Sequence, residues 1–221
     1  RIFDVLEAHN VGYFFYNGGN DSMDTAMKLD RYAKLHCKNI KVMGIPKTVD
    51  NDLEGTDHCP GYGSAAKYIN TAIMEATYDC NTYTSKTVVV MEVMGRHAGW
   101  LAASGAAANY DNDLMPTFVY LPEIPFDIDK FLKQVEGAYK KKGKVFVVVS
   151  EAIGDSEGNP LAVQSGKIDQ FGNVQLGGVS IYLQQLVDEN ITKRVKLINP
   201  GVLQRCAMHC VSAADLDEAY W

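Results

Sequence analysis

Residues 87–92, TVVVME, decide the fold, because they form an uninterrupted apolar run rich in β-branched side chains. A second run of the same kind, VFVVVS, occupies residues 145–150. Such runs predict strands that are buried on both faces, as in parallel sheets covered by helices on each side. Shorter strand-like runs lie at residues 12–16, 40–45 and 117–121.

Segments with helical spacing of apolar residues separate these strands. The predicted helices are 22–35, 62–78, 98–108, 127–142 and 179–190. Ser22 is the predicted N-cap of the first of them. Residues 155–178 break the pattern, and Phe171-Gly172-Asn173 between two alternating runs predicts an inserted hairpin. The alternation of strands and helices predicts an α/β fold with mostly parallel sheets.

Composition narrows the class of protein. A net charge of -6 argues against a nucleic-acid partner, which leaves a basic footprint on the protein that binds it. No stretch reaches the roughly 18 consecutive apolar residues of a membrane span, so no membrane partner is expected. The five cysteines have irregular spacing that does not suggest a disulfide framework, which favours the reducing cytoplasm.

Ligands of parallel sheets bind beyond the carboxyl ends of the strands, so the loops there are the places to search for a site. The loop GIPKTVDNDLEG, residues 44–55, carries Lys47, Thr48, Asp50 and Asp52. Residues two apart in an extended loop point the same way, so both carboxylates are expected to face one pocket. One of them could then act as a general base beside a cation. A solvated acidic turn is the alternative interpretation.

The loop NGGNDSM, residues 17–23, carries the second group of candidates. Gly18 and Gly19 would let the backbone approach a ligand closely, and a helix beginning at Ser22 would favour an anion. Asp21 could hold a metal ion together with phosphate oxygens. An ordinary strand-to-helix turn would also explain this pattern.

Three further segments carry polar residues at strand ends or in clusters. Arg96 follows a glycine in MEVMGRHAGW, where His97 is expected to be packed or capping, and Glu151 follows the buried strand 145–150. Cations recur at 193–196 and at Arg205, where a solvated face is the simpler interpretation. The segment CAMHC offers too few ligands to predict a metal site.

Taken together, these segments resemble the phosphofructokinase family. GIPKTVDND resembles its sugar-phosphate and catalytic-base loop, and EVMGRHAGW resembles its second sugar-phosphate motif. GGNDS resembles its donor-phosphate and magnesium motif, and VLQRCA resembles a divergent form of its later Gln-Arg motif. The four segments occur in the family's order, which independent accidents would not produce.

The resemblance implies a role for each matching residue. Asp50 would take the proton from the 1-hydroxyl of fructose 6-phosphate, with Thr48 and Asp52 helping to hold the substrate and magnesium. The other residues implied to bind this substrate are Met94, Gly95, Arg96, Glu151 and Arg205, with Lys196 or Arg194 assisting. The residues implied to bind the phosphates of the donor are Gly18, Gly19, Asn20 and Ser22.

The resemblance also implies the donor, through Asp21 and Lys47. ATP-using members usually have glycine at both positions. A carboxylate at Asp21 would repel the α-phosphate of ATP, and Lys47 would stabilise charge on the pyrophosphate being cleaved, so both belong with the catalytic residues. Asn20 stands where the family usually has its magnesium aspartate, so either Asp21 is the ligand of Mg²⁺ or the ion is held partly through water.

The implied architecture has two Rossmann-like, three-layer lobes. Residues 1–60 and 204–221 would form the donor-phosphate lobe, and residues 61–203 would form the sugar-phosphate lobe with the hairpin inserted near 155–178. The resemblance and the size of a typical domain imply that about eighty residues precede Arg1 in the whole protein. A C-terminal part is expected to follow.

The expected activity is reversible glycolytic phosphoryl transfer from pyrophosphate to fructose 6-phosphate in a homodimer or homotetramer. An ATP-dependent enzyme and a non-catalytic regulatory subunit of the same fold remain alternatives.

Overall fold

The computed structural model of the chain describes residues 1–109, 116–168 and 174–220. The helices are α1 (Ile2–Ala8), α2 (Asn20–Leu35), α3 (Tyr62–Thr82), α4 (Trp100–Ser104), α5 (Ile128–Lys142), α6 (Val179–Asn190) and α7 (Ala213–Tyr220). The strands are β1 (Tyr13–Gly18), β2 (Lys41–Pro46), β3 (Thr87–Val93), β4 (Phe118–Tyr120), β5 (Lys144–Ser150), β6 (Val163–Ile168), β7 (Val174–Leu176) and β8 (Val195–Ile198). Short 3₁₀ helices occupy Gly105–Ala108, Gly201–Arg205 and Met208–Cys210.

The larger sheet has four parallel strands in the order β4-β5-β3-β8. Every residue of β3 is buried, and so is β5 from its second residue onward. Strands that lie inside a parallel sheet have no solvent face, and this is why both sequences are continuous apolar runs. The predicted α/β fold with parallel sheets is confirmed.

Helices cover both faces of this sheet and make it the middle of three layers. Met91 of β3 packs with Ile69 of α3 and Leu101 of α4 on one face. Val90, the preceding residue, faces the opposite way and packs with Phe131 of α5 and with α6. Successive side chains of a strand point to opposite faces, so β3 contributes to two hydrophobic clusters at once.

The smaller sheet is the parallel pair β1-β2, with a small core that contains Phe3, Ala33 and Ile40. Helix α2 begins earlier than predicted, at Asn20, and its N-cap is Gly19. The prediction of Ser22 as the N-cap was therefore wrong. A glycine N-cap has no side-chain oxygen to accept a hydrogen bond from the first turn of the helix. The sequence therefore lacks the polar capping residue that usually indicates where a helix begins.

Two features differ in how well the sequence predicted them. Strands β6 and β7 lie in the region of the predicted hairpin and pair antiparallel with Ile168 opposite Val174, while their role as an insertion in a lobe stays a prediction. Its predicted turn at 171–173 lies outside the described residues. Strand β8 was missed because Lys196 and its charged neighbours resemble a solvated surface, although the strand pairs with β3 at the edge of the sheet.

The division into lobes at residues 60 and 204 stays a prediction. The two parallel sheets are separate. Helix α7 is nevertheless joined to the start of α3 by the carboxylate of Asp215, which accepts hydrogen bonds from the backbone N–H groups of Gly61 and Ser64 at 2.7 Å each. Within the described ranges, no helix combines the length and the apolar character that crossing a membrane requires.

Asp127→Ala is expected to lower the free energy of unfolding by about 1 kcal/mol, because it removes an N-cap. The Asp127 carboxylate accepts a hydrogen bond from the Lys130 N–H at 2.9 Å, and α5 carries buried Phe131 into the core. Urea unfolding of the full-length protein measures the change. Asp129→Ala is the matched control, since Asp129 lies in the same first turn without being the cap. Equal effects of the two substitutions would contradict the capping role.

Candidate active site

A cleft of about 390 Å³ lies where the carboxyl ends of β1, β2, β3 and β5 meet. The residues that line it are Gly19, Asn20, Asp21, Lys47, Thr48, Val49, Asp50, Asp52, Met94, Arg96, His97, Glu151 and Arg205. Five segments that are far apart in the sequence, the loops after these four strands and the 3₁₀ helix that ends at Arg205, therefore contribute polar side chains to one space. A larger cavity of about 650 Å³ beside β4 and the start of α5 contains none of the predicted site residues.

The loop after β2 brings Lys47, Thr48, Asp50 and Asp52 into the cleft. Its backbone is a turn and not the extended segment that the sequence suggested, because Asn51 has a φ of 55°. The Thr48 hydroxyl accepts a hydrogen bond from the Asp50 N–H at 3.2 Å, which helps to form the turn. The two aspartates reach the same cleft through this turn, so the predicted proximity holds for a different geometric reason.

Asn51 does not line the cleft but holds the loop through two hydrogen bonds. Its side chain is 7% exposed, and its Oδ1 accepts a hydrogen bond from the Cys59 N–H at 2.8 Å. Its Nδ2 donates to the Asp57 carbonyl at 3.3 Å. Asparagine tolerates a left-handed backbone better than most residues, so it can hold the turn and bond across it at once.

The oxygens of Asp52 are suited to a cation. Its Oδ2 accepts a hydrogen bond from Asn20 Nδ2 at 3.1 Å, and its Oδ1 is buried without a hydrogen-bond partner. A buried carboxylate oxygen that lacks a donor is costly unless a cation or a ligand satisfies it. Asp21 lines the same cleft, and Mg²⁺ prefers one or two carboxylates together with phosphate oxygens. The residues present therefore fit a magnesium ion.

The two glycines at the end of β1, Gly18 within the strand and Gly19 directly after it, allow close approach of the backbone. A side chain on Gly18 would overlap Ser22, which packs against Gly18 and does not line the cleft. Gly19 lines the cleft, and a Cβ there would lie 3.5 Å from the Lys47 carbonyl. The Lys47 N–H donates to the Gly18 carbonyl at 2.8 Å, so the two loops are joined at the point where the cleft begins.

The loop after β3 depends on Gly95, whose φ of 139° is rare for residues with a side chain. A Cβ at Gly95 would also lie 2.5 Å from the Ala98 carbonyl. Residues at the end of β5 secure this loop: the Ser150 hydroxyl donates to the Gly95 carbonyl at 2.8 Å, and the Gly95 N–H donates to Glu151 at 3.4 Å. Gly95 thus shapes the loop, while Met94 and Arg96 on either side of it line the cleft.

Burial raises the pKa of two carboxyl groups in the cleft. Burial is the largest cause for Asp50, and the charge of Asp52 adds to it, while the backbone N–H and the charge of Arg96 act in the opposite direction. For Glu151, burial again dominates, and its pKa is raised further by the charges of Asp50 and Glu92. Raised carboxyl pKa values in a polar cleft are typical of functional sites.

Three of the predicted substrate-binding residues do not line this cleft: Gly95, which shapes the loop beside it, and Arg194 and Lys196, which lie elsewhere. Arg194 precedes β8, where its carbonyl accepts a hydrogen bond from the Val88 N–H. Lys196 forms an ion pair with Asp79 at 2.7 Å, at the end of α3 that is remote from the cleft. Both therefore lie near the amino end of the four-stranded sheet, and one copy of the chain does not bring them to the other site residues.

One contributor to the site was underestimated from the sequence, and two others were missed. His97 was expected to be packed or capping, yet it is exposed and lines the cleft. Asn51 and Gln204 received no role, although each is buried and makes two hydrogen bonds to the backbone. A buried amide beside a charged residue would have been the signal, but burial at a loop position is not readable from one sequence.

Comparisons with known proteins agree on one family. The sequence profile described as "Phosphofructokinase" matches residues 1–215. Among curated relatives, the pyrophosphate–fructose 6-phosphate 1-phosphotransferase of Xanthomonas campestris pv. campestris is 44% identical over 99% of this chain and 53% of its own length. The protein of the same name from Methylococcus capsulatus is 41% identical over 100% of this chain and 53% of its own length.

The solved structures give the same result. The pyrophosphate-dependent phosphofructokinase of Marinobacter aquaeolei matches with a TM-score of 0.83 and 40% identity, over 99% of this chain and 52% of that one. The chain spans about half the length of the curated relatives it matches.

Proposed function

Because the chain belongs to the phosphofructokinase family, we propose that the whole protein transfers a phosphoryl group from pyrophosphate to the 1-hydroxyl of fructose 6-phosphate. The products are fructose 1,6-bisphosphate and phosphate. The observation that carries the proposal is the single cleft that contains half-buried Asp50, the cation of Lys47 and the guanidinium groups of Arg96 and Arg205. Phosphoryl transfer needs a base for the attacking hydroxyl and cations around the transferred group.

Asp50 is the proposed general base. Burial and the neighbouring Asp52 charge raise the pKa of its carboxyl group, which makes the carboxylate a stronger proton acceptor. General bases work best when their pKa approaches the operating pH. The backbone N–H of Arg96 lowers the pKa of Asp50 and so moderates this rise, which places the proposed base beside the loop that carries a proposed phosphate-binding cation.

Lys47 and Asp21 are the proposed determinants of the donor. Lys47 is exposed and lines the cleft directly after β2, three residues before the proposed base. Its ammonium group would stabilise the charge that develops on pyrophosphate as the bond between its phosphorus atoms breaks. Asp21, in the first turn of α2, would repel the additional phosphate of a nucleoside triphosphate.

Asp52, Asp21 and Asn20 are the residues that would hold a magnesium ion. The unpartnered buried Oδ1 of Asp52 supports this assignment, since a cation would satisfy it. Bound magnesium would neutralise charge on the oxygens of pyrophosphate. Asn20 would hold Asp52 in place through the hydrogen bond that it donates to Oδ2.

The sugar phosphate is proposed to bind on the side of Asp50 that faces away from the proposed donor site. Arg96 and Arg205 would bind the 6-phosphate, because guanidinium groups match the geometry of phosphate oxygens. Glu151 would accept hydrogen bonds from sugar hydroxyls, with Met94 and Gly95 shaping the wall beside it. Thr48 would help to hold the acceptor near Asp50.

The proposal also covers the oligomeric state of the protein and its location in the cell. We predict a homodimer or homotetramer in the cytoplasm. Arg194 and Lys196 do not reach the cleft of their own chain, so their proposed assistance to the 6-phosphate would require a second copy.

Arg205→Ala is expected to raise KM for fructose 6-phosphate by roughly 10- to 100-fold, because a charge-assisted hydrogen bond contributes about 1.5–3 kcal/mol. The change in kcat should be much smaller, since the 6-phosphate is bound alike in the ground and transition states. Steady-state kinetics with varied fructose 6-phosphate measure both constants. Arg31→Ala, on the exposed surface of α2, is the control that should leave both unchanged. An unchanged KM for Arg205→Ala would remove Arg205 from the sugar-phosphate site.

The direct test is product analysis of the full-length protein with fructose 6-phosphate, pyrophosphate and Mg²⁺. We expect ³¹P NMR to show a new phosphomonoester on the sugar, formed together with one equivalent of phosphate. Phosphate without a second sugar phosphomonoester would mean that pyrophosphate is hydrolysed and that the proposed acceptor is wrong.

A further inference from the structure

The side-chain amide of Gln204 joins two chain segments that are 110 residues apart. Its Oε1 accepts a hydrogen bond from the Met94 N–H at 3.0 Å, and its Nε2 donates to the Gly201 carbonyl at 3.1 Å. The residue is 3% exposed, so both polar ends of the amide are satisfied by backbone groups inside the protein.

Each segment held by Gln204 delivers an arginine to the cleft. Arg205 is the next residue and ends the 3₁₀ helix Gly201–Arg205. Arg96 follows Met94 by two residues, on the loop after β3. Both arginines line the cleft, so the amide joins the two segments from which they enter it.

The other hydrogen bonds of the β3 loop fix it to a different element. Ser150 and Glu151, at the end of β5, bond to the carbonyl and the N–H of Gly95. Neither of these two bonds involves the 3₁₀ helix. The bond from Met94 to Gln204 joins the loop to that helix, because Gln204 also bonds within the helix that carries Arg205.

We propose that Gln204 is a positioning residue that sets the separation of Arg96 and Arg205 for one phosphate group. The inference rests on the proposed function, in which both arginines bind the 6-phosphate. Gln204 acts through its neighbours, since its own amide is occupied by backbone partners. Small displacements of groups that bind a substrate have large kinetic effects, which makes such a constraint measurable.

Gln204→Met tests the proposal, because methionine has a similar length and makes neither hydrogen bond. We expect KM and the calorimetric Kd for fructose 6-phosphate to rise about ten- to a hundredfold, with kcat and KM for pyrophosphate nearly unchanged. Gln204→Glu, which keeps an acceptor for the Met94 N–H, should give a smaller rise. It also provides the test if the methionine variant does not fold.

Gln134→Met is the matched control, since Gln134 accepts a hydrogen bond from the Tyr120 hydroxyl at 3.0 Å beside the other cavity. It should leave the affinity for fructose 6-phosphate unchanged. Hydrogen exchange of the Met94 amide should accelerate in Gln204→Met and not in Gln134→Met. Faster exchange with unchanged affinity would overturn the positioning role, as would equal losses of affinity for both substrates.

The two hypotheses fail differently. A wild-type protein that binds fructose 6-phosphate without turnover would overturn the proposed function, while the Kd of the Gln204 variants would still test the positioning role. If the wild-type protein turns over normally and Gln204→Met has the same KM for fructose 6-phosphate, only the positioning role is overturned.

Discussion

Asp50→Asn is expected to lower kcat by roughly 10²- to 10⁴-fold, the usual contribution of a general base. The amide has the size of the carboxylate but cannot accept the proton of the attacking hydroxyl. KM for fructose 6-phosphate should change little, because the proposed phosphate ligands are other residues. Asp50→Ser should lower kcat to a similar extent, since it removes the base by truncation.

The kinetic pattern separates loss of the base from loss of the fold. Asp57→Asn is the matched control, because Asp57 is an exposed aspartate of the same loop that contributes its backbone carbonyl to Asn51. It should retain wild-type kcat. If Asp50→Asn turned over at the wild-type rate with pyrophosphate, Asp50 could not be the base, and Glu151 would be the next carboxylate of the cleft to test.

Lys47→Ala is expected to lower kcat/KM for pyrophosphate by about 10²- to 10³-fold, as removal of one group that stabilises developing charge does elsewhere. The double variant Asp21→Gly with Lys47→Gly should also lose pyrophosphate activity, and its ratio of ATP to pyrophosphate turnover should rise. The reason is that the repulsive carboxylate and the cation directed at pyrophosphate are both removed. Steady-state kinetics with each donor at saturating fructose 6-phosphate measure the ratio.

Lys41→Ala is the control for the donor experiment. Lys41 begins β2, lies near the Tyr13 ring and does not line the cleft. It should leave the donor ratio unchanged. Equal use of pyrophosphate by wild type and by the double variant would contradict the assignment of Asp21 and Lys47 to the donor.

The central sheet was predictable because burial on both faces leaves a direct record in the sequence. Strands β3 and β5 have no solvent side, so nearly every position is apolar. Strand β8 pairs with β3 along one edge only, and exposed Lys196 alternates with less exposed residues. A strand of four residues with one exposed lysine, beside a charge cluster, carries too little signal to distinguish an edge strand from a solvated loop.

The candidate site was predictable as a set of loops but not as a geometry. The motifs around Asp50 and Arg96 are specific in sequence, and the structure brings them together with Glu151 and Arg205. The left-handed turn at Asn51 was not expected, because backbone conformation depends on hydrogen bonds to distant residues such as Cys59. The individual roles of these residues stay predictions.

The remaining differences between the prediction and the structure concern residues whose positions depend on contacts far away in the sequence. Gln204 contacts Met94 across 110 residues, and nothing in either local sequence signals the other. The family resemblance implied that Lys196 assists in binding the sugar phosphate, but Lys196 on β8 forms an ion pair with Asp79 instead. A motif fixes the order of residues along a strand, whereas the end of the sheet that each residue reaches depends on the whole topology.

A coupled assay of the full-length protein with fructose 6-phosphate and Mg²⁺, supplied with either pyrophosphate or ATP, tests the central claim most directly. Pyrophosphate as donor should give rapid turnover, and ATP should give little or none. Turnover with ATP alone would keep the family and contradict the roles of Asp21 and Lys47. Turnover with neither donor would contradict the enzymatic proposal and favour a non-catalytic protein of the same fold.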